Sequence, residues 1–119
     1  MTFRHDQMVI VEKFETFLKY FYPIAQNIPR AHGIAKEMLL QDMLSQVKLF
    51  LVAGKTSQIS RLYEADAGLA NLRYWLRFMS DPSRKIITVH QHQVAEVMLA
   101  EVGKILGSWI EHKRNPGKE

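Results

Sequence analysis

LYEADAGLANLRYWLRF, residues 62–78, decides the fold. Wound at about 100° per residue, the stretch gathers Leu62, Ala65, Leu69, Leu72 and Leu76 on one side, and Met79 continues the line. That periodicity predicts an amphipathic helix with one buried face. Asp66, Arg73 and Arg77 form a stripe along the flank of this face, where a packed helix meets its neighbour or a partner. Charges in such a place are half buried, and a half-buried arginine needs a partner. Arg73 and Arg77 are like charges at i,i+4, a spacing that costs about 0.2–0.5 kcal/mol in an isolated helix. An anion or a carboxylate is therefore expected between them.

Three similar patterns flank this one. The first covers residues 6–22, with Val11, Phe14, Leu18 and Phe21 spaced by three and four, and Pro23 and Pro29 bracket its end. The second opens near Pro29, a residue suited to a first helical position, and carries Leu40, Met43, Leu44, Val47 and Leu51 to a left-handed stop at Gly54. The central helix starts from Thr56 or Ser57 as N-cap and ends at Ser80-Asp81-Pro82. The last starts at Thr88, where Thr88 and Gln91 have the spacing of a capping box, and runs through Val94, Met98, Val102, Ile105 and Trp109. Residues 113–119 read as a flexible tail. Rods of about 25–35 Å joined by short links make neighbours antiparallel. The expected fold is all-α, an up-down-up-down four-helix bundle forming a single domain over residues 1–119.

Small residues are frequent on the last two helices: Ala65, Ala67, Gly68 and Ala70 on one, Ala95, Ala100, Gly103 and Gly107 on the other. A glycine inside a helix costs about 1 kcal/mol relative to alanine, and close helix approach is the usual compensation. That approach can be within the bundle or between subunits, and residue types alone leave both open. Trp75, with Tyr74 and Phe78, is expected on the side of its helix away from the Leu62/Leu69/Leu76 face. Part of this aromatic group is then either exposed or buried in a second contact, and an exposed patch of this kind marks an interface. Together with the glycines it favours a homo-oligomer, with Trp75, Gly103, Gly107 and Asp66 as interface residues.

The 119 residues contain no cysteine, which removes disulfides, thiolate nucleophiles and sulfur-based zinc sites. No apolar run reaches the roughly 18 residues of a membrane span. The opening MTFRHDQMVIVEKFE carries acids where a signal peptide would not, so a cytoplasmic protein is expected. His90 and His92 point to different sides of a helix, and no convergent metal-ligand set is present. Phosphate loops, serine elbows and zincin motifs are missing, and the carboxylate pairs Glu96/Glu101 and Glu64/Asp66 diverge around their helices. An enzyme is not expected, nor a cofactor.

The net charge of +4 favours a polyanion or an acidic partner. Lys13, Lys19, Arg30, Lys36 and Arg61 join Arg73 and Arg77 as candidate contact residues. Any one lysine is a solvated charge, but repeated in a ring of subunits the same positions build a continuous positive field.

VAGK (52–55), LYEADAGLANLRYWLRF (62–78), HQVAEVMLAEVGKILGSWI (92–110) and YPIAQNIPRAHG (22–33) closely resemble the accessory variability determinant (Avd) proteins of diversity-generating retroelements. The likeness covers nearly the whole chain. It implies a four-helix bundle assembling as a pentameric barrel that binds the element's reverse transcriptase and contacts RNA or DNA through a basic surface. In such systems the enzyme makes adenine-mutagenised cDNA from a template RNA and the accessory protein is no catalyst. By the motif LRxWLRF, Arg73 and Arg77 are the family's paired arginines. One departure is Thr88-Val89-His90-Gln91, where the family commonly has Thr-Pro-His-Gln, so the start of the last helix lacks a fixed φ. Ribosomal (23S rRNA) intervening-sequence proteins look similar in fold, and the alternatives are a protein-only oligomeric scaffold or a protein of that type, of unknown role. Nucleic acid, if bound, is expected to be held by its backbone rather than read by base.

Overall fold

Apolar residues recurring at three and four build four helices: α1 (Thr2–Gln26), α2 (Gly33–Lys55), α3 (Ile59–Ser80) and α4 (Val89–Arg114). A computed structural model describes the backbone of residues 2–115 and side chains from residue 9 onward. Among the described residues all regular structure is helical. Helices adjacent in sequence pack on one another and α4 returns to α1, whereas among the described residues the diagonal pairs bring no Cα atoms within 8 Å. The result is an antiparallel bundle 50 × 22 × 21 Å in extent.

The core is a column of Phe14, Phe17, Phe21 and Phe50, closed by Leu62, Leu72, Leu76, Met79 and Leu99. Phe14 meets Phe50 edge-on at 5.6 Å, and Phe17 stacks on Phe21 at 5.6 Å. The α3 face expected from spacing is the buried one. On α2 and α4 the buried lines are rotated from those expected, to Leu39/Met43/Gln46/Phe50/Ala53 and Ala95/Leu99/Val102/Leu106/Trp109. Leu44 and Leu51 are turned outward, 52% and 40% exposed.

Gln46 explains the rotation of α2. Its side chain is buried among apolar neighbours, and its Nε2 donates to the Ala65 carbonyl of α3 at 2.8 Å. A buried amide is tolerated because that bond satisfies it. Gly68 makes the contact possible: a Cβ there would overlap Gln46 Oε1 and come within 2.9 Å of Leu49 Cδ1.

Helix ends differ from expectation in ways that burial explains. α1 does not stop at residue 22 but continues through Pro23 to Gln26, because Ala25 and Ile28 beyond the proline are core residues. The amide of Asn27 closes that turn on the Pro23 and Ile24 carbonyls. Pro29 is not a first helical residue of α2; it is an extended cap to a 3-10 turn, Arg30–His32, that precedes α2. Gly54 is no left-handed stop: it is helical and buried, and the chain leaves α2 in extended backbone at Thr56. Because residues 56–58 span the gap, α3 opens after Gln58, without a side-chain cap from Thr56 or Ser57. α4 stays helical through Lys113 to Arg114, the start of the expected tail; its residues 116–119 lie outside the described residues.

The α3–α4 link is tightly bonded. Ser83 donates its amide and hydroxyl to Asp81 Oδ1, which holds the Asp81 carboxyl below its ordinary pKa. The amides of Ile86 and Ile87 both reach the Met79 carbonyl, at 2.8 and 3.0 Å. Lys85 takes the left-handed conformation at φ 52° to make this turn. The capping box then forms in full despite Val89, with Gln91 N to Thr88 Oγ1 and Thr88 N to Gln91 Oε1 both 3.0 Å.

Gly68→Ala gains about 1 kcal/mol of helix propensity yet must displace Gln46. A buried amide left unpaired costs about 1–3 kcal/mol, and overpacking adds about 1–3 kcal/mol. The variant is expected to melt below wild type by circular dichroism; a higher melting temperature contradicts the assigned contact.

Candidate partner-binding groove

Antiparallel packing of α3 on α4 leaves an open groove of about 560 Å³ lined by Asp66, Leu69, Ala70, Arg73, Arg77, Ala100, Gly103 and Lys104. The stripe expected on the flank of the central helix therefore forms one wall. The groove has two halves because the helices run in opposite directions. Asp66 and Leu69 face the part of α4 that carries Gly103, whereas Arg73 faces Glu96.

Arg73 donates from Nε to Glu96 Oε1 at 3.1 Å. The other carboxylate oxygen, Oε2, meets His92 Nε2 at 3.3 Å, one turn earlier on α4. His92 Nδ1 in turn lies 3.0 Å from Ser80 Oγ, the last residue of α3, and that hydroxyl also reaches the Arg77 carbonyl at 3.4 Å. A chain Arg73–Glu96–His92–Ser80 thus staples α3 to α4. The carboxylate expected near the arginines is present, but it serves only Arg73. Arg77 is exposed, has no ion pair among the described residues, and lies with its guanidinium carbon 6.0 Å from the Tyr74 ring centroid. Glu96 was legible only in part: its i,i+4 spacing from His92 is visible in sequence, but its meeting with Arg73 depends on α3–α4 register.

Trp75 takes the second of its two expected settings, a buried contact: it is 8% exposed and donates from Nε1 to Asp42 Oδ2 of α2 at 2.9 Å. The same oxygen accepts from Asn71 Nδ2 at 2.7 Å, so Asp42 binds two residues of α3 one turn apart. The burial of Trp75 is complete within one chain, and it has little surface left for another. Phe78 packs edge-on against it at 5.4 Å and is covered by Arg84 at 3.8 Å, which leaves Tyr74 as the exposed ring of the group.

The three glycines separate by environment. Gly68 is used inside the bundle. Gly103 would put a Cβ in ordinary contact, 3.7 Å from Leu69 Cδ2, and Gly107 has nothing within 4 Å. Among the described residues no close contact offsets the helix-propensity cost of these two.

The remaining basic candidates are not gathered around the groove. Lys13 lies 3.7 Å from Glu101 across α1 and α4, and Arg61 is 3.2 Å from Glu64 on its own helix. Lys19 borders the cleft between α1 and α2, with Glu15, Tyr22 and Leu44. Arg30 is exposed in the 3-10 turn and Lys36 sits in the first turn of α2. Lys104 joins the arginines instead, a cation the sequence did not single out for this site. Among the described residues no group of histidines and carboxylates could hold a metal, and no helix is long and apolar enough to cross a membrane.

Residues 8–113 match the family model described as bAvd-like, and the chain belongs to that family. No curated protein matches it.

Proposed function

We propose that this bAvd-like protein is a non-enzymatic accessory subunit of a diversity-generating retroelement, joining the element's reverse transcriptase to its template RNA in support of mutagenic cDNA synthesis. Family membership supports the setting. The observation that carries the contact is the state of the two arginines: Arg77 has no ion pair among the described residues, and Arg73 engages a carboxylate through Nε alone. Both line the groove, and Lys104 lines it as well, next to Gly103. Guanidinium groups so placed suit the carboxylates of a protein or the phosphates of RNA. Contact with nucleic acid through phosphates makes affinity fall with salt, by about 0.7 in log–log slope for each phosphate neutralised on a single strand.

Two faces of the bundle support a reading in which the protein self-associates. On one side, outward Leu44 borders the α1–α2 cleft. On the opposite side, Gly103 of α4 lines the groove with Asp66 of α3, and Gly107 is exposed one turn further along α4. A projecting face that meets a small-residue face is a heterologous contact, which closes into a ring when the rotation allows. Five copies is the number the Avd likeness implies. The groove then divides its work: the Asp66/Gly103 half meets a neighbouring copy, and the Arg73/Arg77 half stays open to the partner. Asp66 in the same groove favours a protein occupant at its end, and a gel shift with unrelated RNA and DNA separates a protein-only scaffold from a nucleic-acid binder.

Arg73→Ala combined with Arg77→Ala is expected to abolish capture of reverse transcriptase or RNA in a pull-down, with helicity unchanged by circular dichroism. Undiminished capture of both contradicts the site. Gly107→Leu places a side chain in open space on the single subunit, so the fold survives. Its light-scattering mass is expected to fall toward one subunit; an unchanged oligomer removes Gly107 from the interface.

A further inference from the structure

Glu96 stands where an acid weakens a basic site. Its carboxylate lowers the net charge of a groove that the reading above assigns to an anionic partner. The pair it forms with Arg73 leaves the arginine side chain 44% exposed, and ion pairs so solvated add little to stability. The geometry gives the carboxylate another use. It takes the Nε–H of Arg73, and among the described residues neither Nη group has a hydrogen-bond acceptor, so the terminal edge between the two Nη groups is left to donate. That outer edge is the one that binds two oxygens of a phosphate together.

Glu96 is itself held. His92 contacts Oε2, and Ser80 contacts the far nitrogen of the same ring. A carboxylate accepts, so His92 Nε2 carries the proton toward Glu96, and Nδ1 of the neutral ring accepts from the Ser80 hydroxyl. When the ring is cationic, Nδ1–H donates to Ser80 Oγ, whose proton turns to the Arg77 carbonyl at 3.4 Å. Both forms keep the carboxylate fixed. His92 and Glu96 are also more sheltered than Arg73, at 24% and 26% side-chain exposure, so the fixed end of the chain is the inner one.

We propose that Glu96 is a positioning residue: it holds the inner edge of Arg73 so that the outer edge is aimed at a phosphate of single-stranded RNA, with His92 and Ser80 locking the carboxylate from behind. The proposal rests on the reading that this groove takes RNA. A long cation fixed before binding loses less rotamer freedom on contact. Electrostatics alone predicts that any neutral replacement of Glu96 tightens RNA binding. Positioning predicts that the sign depends on whether an acceptor remains.

The test uses the full-length protein and a short fluorescein-labelled single-stranded RNA of mixed sequence, read by anisotropy. Glu96→Gln keeps an oxygen for Arg73 Nε and can offer its amide to His92, so binding should be equal to wild type or tighter. Glu96→Ala removes the acceptor and should weaken binding about threefold to tenfold, although it removes a negative charge. Glu96→Met, which fills the space without an acceptor, carries the same expectation should the alanine variant melt early. In an Arg73→Ala background Glu96→Ala should bring no further loss. If both neutral variants bind as well as wild type or better, or if the loss persists without Arg73, positioning is overturned. If Arg73→Ala alone leaves RNA binding unchanged, the groove is no phosphate site, and the underlying reading falls together with this one.

Discussion

The hydrogen bonds between Met79 and Gln91 set the register on which the site depends. Asp81 gathers the turn through Ser83, the amides of Ile86 and Ile87 return to Met79, and Lys85 accepts a left-handed backbone so that this return is possible. The Thr88–Gln91 box then starts α4 at a fixed residue. From there the rise of the helix brings His92 opposite Ser80 and Glu96 opposite Arg73. A slip of one residue in this link would rotate α4 by about 100°. It would carry the carboxylate away from the arginine and the glycines away from the groove.

That dependence explains which features are legible in the chain and which are not. The helix of residues 62–78, its buried face and the box at Thr88 are local, and spacing or capping chemistry alone reveals them. Pro23 and Gly54 are local signals overruled by packing: core residues Ala25 and Ile28 hold α1 helical past the proline, and burial keeps Gly54 inside α2. Trp75 and Glu96 are different again. Their partners, Asp42 and Arg73, lie on other helices, so no periodicity within one segment points to them. The rotated face of α2 has the same origin, since a glutamine in a core line makes sense only once the Ala65 carbonyl and the vacancy at Gly68 are opposite it.

Small and charged residues together divide the α3–α4 side into two working halves. Gly103 and Gly107 carry a helix-propensity cost that no close contact among the described residues offsets, which is the physical reason to seek their use between copies. Arg77 and the outer edge of Arg73 carry donors without an internal acceptor among the described residues, which is the reason to seek theirs in a partner. A bAvd-like protein that needs both self-association and a cargo can hold them on one side of the bundle, because antiparallel helices separate the two sets along the groove. The scattered lysines and arginines form no patch around the groove on one subunit; the proposed assembly would sum their field.

The most direct measurement follows the arginine side chains themselves by NMR of arginine-labelled protein. Arg73 Nε–H should exchange slowly with water in the free protein while its Nη protons and the Arg77 side chain exchange fast, and addition of single-stranded RNA should slow the Nη protons without disturbing Nε–H. An Arg73 Nε–H that exchanges as fast as that of Arg77 before RNA is added, or Nη protons unaffected by RNA, would contradict a groove with one edge held and the other offered.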